Sequence, residues 1–153
     1  MRQKRKLMID QLDQRIQPFL AARRVLTPER GWINNIRTSL NMTMAQLGSK
    51  LGITRQAVKK IEEGEVNGSI SIGKLRDVAE ALDLKLVYCM VPQDGTIDEM
   101  IQVKAEKLAR HIVLRTNQNM KLEAQGIGDE KLNSTIKDLA IEIKRELKRS
   151  IWD

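Results

Sequence analysis

Apolar residues recur along this chain at intervals of three and four, the spacing of a helix face, almost from end to end. Met8, Leu12, Ile16 and Phe19/Leu20 predict an N-terminal helix that Pro18 kinks. Thr27-Pro28 breaks the pattern, and Trp32, Ile33, Ile36 and Leu40 then predict a second helix. Short helices follow at about 42–51, 54–63 and 71–83. Beyond Pro92 come two longer ones. The first carries Ile97, Met100/Ile101, Ala105, Leu108 and Ile112; the second carries Leu132, Ile136, Leu139, Ile143 and Leu147, with Gly126-Ile127-Gly128 at the joint. One stretch departs from the helical rhythm: Leu84 to Val91 is β-rich and is stopped by Pro92. A lone strand cannot satisfy its own backbone groups, so this one needs a partner. The natural partner is the same strand of another copy, with Ser69-Ile70-Ser71-Ile72 as a weaker internal candidate.

The middle of the chain is the most informative. Thr43 with Gln46 three residues later reads as a capping box, and Met42 and Leu47 stand at the two places of a hydrophobic staple. The helix so started runs to Leu51 and meets Gly52, the residue best suited to a left-handed cap. Two residues later Thr54 is a second N-cap, stapled by Ile53 and Val58. Leu47, Leu51, Ile53, Val58 and Ile61 converge on one small core, giving two short helices joined by a glycine-containing turn. That is a helix-turn-helix, whose second helix enters a DNA major groove.

On that second helix Ala57, Val58 and Ile61 face inward, leaving Arg55, Gln56, Lys59 and Lys60 outside. Arginine reads guanine O6/N7 and glutamine reads adenine N6/N7, each with two hydrogen bonds, so Arg55 and Gln56 are base-reading candidates. Lysines suit phosphates, which set register without reading sequence. Backbone N–H groups at the start of the Thr43 helix also favour an anion.

The run from Leu51 to Gly64 resembles the lambda-repressor/Cro-like (XRE) helix-turn-helix family over roughly residues 31–83. The resemblance implies base contacts from Arg55 and Gln56, with Lys59 one turn on. It groups Thr43, Thr54, Lys60, Asn67 and Lys74 as phosphate contacts. Where the family often opens the preceding helix with a DNA-touching polar residue, this chain has Met44. The implied fold is all-α: a lambda-repressor-like core with an N-terminal helix, one short β-strand and a C-terminal helical extension.

A wider set of segments resembles the bacterial "mobile mystery protein A" family. It comprises Gln11-Leu12-Asp13-Gln14-Arg15, Gly31-Trp32-Ile33, Ala81-Leu82-Asp83, Leu86-Val87-Tyr88, Val91-Pro92 and Ile151-Trp152-Asp153. Members are regulators encoded beside a Fic-domain protein, so the resemblance implies a toxin–antitoxin-like operon. Fic antitoxins often carry [Ser/Thr]-x-x-x-Glu-[Gly/Asn]; here Glu-Gly occurs only at Glu63-Gly64, and Lys59 stands four residues before Glu63. Inhibition through that motif is not expected.

Charge sharpens the division. Residues 1–30 hold eight Lys/Arg against three Asp/Glu, residues 31–92 eight against six, and residues 93–153 eleven against eleven. The net charge of +7 therefore sits in the front half and favours a polyanion. This gives a basic N-terminal arm and helix (1–30), the helix-turn-helix domain (31–83), the strand as a dimerisation candidate (84–92) and the C-terminal helices (93–153). The arm, with Arg2, Lys4, Arg5 and Lys6, is a candidate for phosphates or a minor groove.

Other classes fall away. No apolar run approaches a membrane span, and Asp10, Asp13 and Arg15 interrupt what a signal peptide would need. One cysteine, Cys89, and one histidine, His111, leave no disulfide, metal cluster or catalytic set. Cys89 is expected to be a buried small hydrophobe, Trp152 to dock into the core, and adjacent Glu62 and Glu63 to diverge. The expected protein is a cytoplasmic, nucleoid-associated, non-enzymatic homodimer without cofactor, bound to double-stranded DNA and repressing its own operon. The alternative is an antitoxin or adaptor that binds a Fic-domain partner through its C-terminal helices.

Overall fold

The computed structural model describes residues 2–122 and 128–153. Its α-helices are α1 (Arg2–Ile16), α2 (Gly31–Ser39), α3 (Met44–Leu51), α4 (Arg55–Asn67), α5 (Ile72–Ala81), α6 (Ile97–Leu122) and α7 (Asp129–Glu146). Short 3₁₀ stretches follow α1 and α7. The first begins at Gln17, one residue before Pro18, so the chain tightens there rather than bending and continuing. By internal contacts the chain forms two compact units, Arg24–Cys89 on one hand and Met1–Arg23 with Met90–Asp153 on the other.

The Arg24–Cys89 unit is the four-helix assembly α2–α5. Ile33, Leu47, Val58, Val78 and Leu82 are its buried centre, with Leu51, Ile53 and Ile61 packed around them. Beneath α4 lies a polar tie. The Arg37 guanidinium donates to Glu62 Oε1 at 2.6 Å and Oε2 at 3.2 Å, and to the Met42 carbonyl at 2.8 Å. Asn34 donates to Glu62 as well, at 2.7 Å. Both ions are buried, and these bonds supply the partners that a buried charge needs. Nearby, the Glu65 carboxylate accepts from the Trp32 and Ile33 N–H groups at 2.8 and 2.9 Å, capping α2 from α4.

The second unit packs α1, α6 and α7. Ile101, Ala105, Ala109 and Val113 form a four-residue repeat on α6 that meets Ile136, Ala140 and Ile143 of α7. Alanines at the centre let the two backbones approach closely. At the start of α6, Thr96 and Glu99 form a reciprocal pair of side-chain to backbone bonds. Asp13 of α1 adds its carboxylate, accepting from the Ile97 N–H at 2.7 Å and the Asp98 N–H at 3.1 Å. Lys144 of α7 then reaches Asp98 at 2.7 Å.

Several sequence expectations need correction. No β-strand is present among the described residues: 84–92 is irregular, and β-rich composition makes a strand only where ladder bonds to a second strand form. The weaker candidate, Ser69–Ile72, is instead a helix start, where Ser71 accepts from the Lys74 N–H. Helix α4 continues past Gly64 to Asn67, with Gly64 buried beside Ser69 and Ile70. Cys89 is exposed, following from the absence of a sheet to bury it. Trp152 is half-exposed with the Lys104 ammonium 5.4 Å from its ring centroid, while Ile151 is the residue that docks. Residues 4–6 of the expected arm lie within helix α1. Of the Gly126-Ile127-Gly128 joint, the first two residues lie outside the described ones, and Gly128 is the N-cap of α7.

Candidate nucleic-acid interface

Local chemistry builds the α3–turn–α4 unit. The Thr43 hydroxyl accepts from the Gln46 N–H at 3.1 Å, and the Gln46 side chain accepts from the Thr43 N–H at 2.8 Å, completing the expected capping box. Gly52 closes α3 at φ +67°, a left-handed conformation that costs a side-chain-bearing residue about 1–2 kcal/mol. Gly48 matters for a different reason: a Cβ there would stand 2.7 Å from the Ile53 carbonyl oxygen. The turn can therefore fold back onto α3 only over a glycine. Thr54 then opens α4, its hydroxyl accepting from the Ala57 N–H at 3.1 Å.

Helix α4 thus starts with Arg55 and Gln56, both exposed. Neither they nor Lys60 have a hydrogen-bond or ion-pair partner among the described residues. At about 100° per residue, Arg55, Gln56, Lys59, Lys60, Glu63 and Asn67 share one outward face of about 140°. Val58, Glu62 and Gly64 are buried on the other side. Adjacent Glu62 and Glu63 do diverge, one buried and one exposed. The helix presents a polar ridge, and the Arg37–Glu62 tie and Val58 fix its rotation from below.

The expected contact residues do not all stand alike. Lys59 lies 3.7 Å from Glu63 one turn on, with both side chains mostly exposed, so the pair is weak and easily exchanged for another anion. Thr43 already donates to Gln46 at 3.1 Å, and a phosphate would have to displace that bond. Thr54 caps α4 beside Arg55. Asn67 lies at the far end of α4, about 18 Å along the axis from Arg55, where its side chain accepts from the Ser69 N–H at 2.9 Å. Lys74 lies in the first turn of α5, 3.8 Å from Asp77. Arg55, Gln56, Lys59, Lys60 and Thr54 are therefore neighbours, whereas Asn67 and Lys74 belong to the other end of the ridge and the next helix. Met44 packs against the core, so α3 opens on an apolar contact.

Sequence reasoning passed over Arg37, Glu62 and Glu65 as the residues that hold α4. A signal existed for the first: Arg37 follows Ile33 by four, on the buried stripe of α2. It passed over Glu63 too, the one carboxylate on the outward ridge.

Among the described residues no helix is long and apolar enough to cross a membrane, and no group of three His, Cys, Asp or Glu side chains is arranged to hold a metal ion. Residues 33–89 match the family model described as helix-turn-helix. The match supports an XRE-like, DNA-binding regulatory domain over this segment. Neither the curated proteins nor the solved structures gave a match.

Proposed function

We propose that this DNA-binding domain makes the protein a sequence-specific transcriptional regulator that binds double-stranded DNA as a homodimer. The observation that carries the reading is the first turn of α4: Arg55 and Gln56 stand exposed and uncommitted on a helix whose rotation is fixed from within. In this reading Arg55, Gln56 and Lys59 touch base edges, while Thr43, Thr54, Lys60, Asn67 and Lys74 hold phosphates. One short recognition helix covers too little DNA for operator affinity, so two copies reading half-sites about 34 Å apart complete the site. The exposed Val87 and Tyr88 of the 84–92 segment and the C-terminal helices are the surfaces offered for pairing. Occluding polymerase at its own promoter makes it an autorepressor acting in the cytoplasm at the nucleoid. The resemblance to "mobile mystery protein A" supports a Fic-domain protein in the same operon.

A second reading is an antitoxin or adaptor that binds a Fic-domain partner. It draws on the exposed Val103 of α6 and Ile141 of α7.

The test is fluorescence anisotropy with a duplex from the gene's own upstream region against a scrambled duplex, across a salt series. Wild type is expected to prefer its own DNA by about 10³-fold or more. Arg55→Ala/Gln56→Ala is expected to lose that preference and keep a steep salt slope. Equal, weak binding of both duplexes by both proteins would sink the regulator reading, and a Fic partner retained by the double variant would favour the adaptor.

A further inference from the structure

The outer face of α1 is the least explained surface of the second unit. Arg5, Met8, Leu12 and Arg15 recur at i, i+3, i+7 and i+10, the stripe of a single helix face. Met8 and Leu12 are 58% and 44% exposed. Together with Ile9 and Leu147 they line a groove of about 430 Å³, with no carboxylate among its described lining residues. An arginine stands near each end, about 15 Å apart along the axis. Neither guanidinium has a partner among the described residues. The inward face of α1 is already used, by Ile9 against the core and by Asp13 on α6.

We infer that this groove docks an acidic amphipathic helix of a protein partner. Two apolar side chains between two unpaired guanidiniums, three turns apart, match a helix with apolar residues at i, i+3, i+4 and i+7 and carboxylates at its flanks. A second copy is disfavoured, because a twofold contact across this face would set arginine against arginine. DNA would pair with the arginines and leave Met8 and Leu12 in water. An anionic lipid surface also pairs arginines with exposed apolar groups, and the vesicle arm of the test separates it. The inference is separate from the DNA reading, since the groove belongs to the unit without the helix-turn-helix.

The test uses the full chain and a labelled synthetic helix of that pattern, its sequence-scrambled isomer, and vesicles of mixed anionic and neutral phospholipid. The patterned peptide is expected to bind at least about tenfold more tightly than the scramble. Arg5→Glu/Arg15→Glu and, separately, Leu12→Ser are each expected to weaken it by about tenfold or more, with unchanged far-UV circular dichroism because all three side chains are exposed. Arg55→Ala/Gln56→Ala is expected to bind the peptide like wild type. Equal affinity for the scramble, indifference to the charge reversal, or binding to vesicles that the peptide cannot displace would each overturn the inference.

Discussion

The two units reach the same end, a helix held at its N-terminus over an apolar core, by different mixes of local and distant bonds. In the Arg24–Cys89 unit, Thr43, Thr54 and Ser71 cap their own helices from three residues away. The α1–α6–α7 unit adds to its local Thr96 cap a carboxylate from residue 13, 84 positions distant. Three helices of the first unit start on neighbours in sequence, whereas α6 of the second also takes a cap from 84 positions away. The helix-turn-helix unit also has long-range ties: Glu65 of α4 caps α2, and the Arg37–Glu62 ion pair lies buried under the recognition helix. What differs is where each unit can be broken.

The largest effect should come from that buried pair. Arg37→Ala leaves the Glu62 carboxylate without its cation and should cost about 3–5 kcal/mol. Each unit holds one tryptophan, Trp32 and Trp152, so urea titration of the single-tryptophan variants Trp152→Phe and Trp32→Phe reads the units separately. Arg37→Ala should move the Trp32 transition; an equal shift of the Trp152 transition would mean that the units unfold as one. Next, Asp13→Ala removes a charged acceptor of two N–H groups and should cost about 2 kcal/mol, seen by Trp152. A loss no greater than a few tenths would show that the Thr96 cap suffices alone. Gly52→Ala should cost about 1 kcal/mol through its left-handed backbone, seen by Trp32. Last, Lys59→Ala should shift stability by less than about 0.5 kcal/mol, since its pairing with Glu63 is exposed, yet weaken DNA binding measurably.

This contrast also explains what the sequence discloses. Thr43 with Gln46, Gly52 and Thr54 are legible because capping and turn chemistry act over two to four residues. The inward set Leu47, Val58 and Ile61 is legible because helical period alone places it. Arg37 with Glu62, 25 residues apart, and Asp13 with Ile97 have no local signature, so the ties that orient α4 and anchor α1 stay hidden until the fold brings them together. The misread strand at 84–91 has the same root. Its Val, Tyr and Leu content is a side-chain preference, and a strand is a relation between two segments. Thr96 with Glu99 is the exception, a local signal present in the sequence and passed over.

The α1–α6 cap sets an order of events during synthesis. Between the appearance of Asp13 and of Ile97 the ribosome must add 84 residues, about 4–17 s at about 5–20 residues per second. The whole Arg24–Cys89 unit emerges in that interval, complete in its own contacts. Helix α1, too short to be more than marginal by itself, waits as a basic, part-apolar nascent segment until α6 arrives. Only over the last 8 residues, from Cys89 to Ile97, does a whole helix-turn-helix unit coexist with an α1 that still lacks α6 and keeps its apolar face bare.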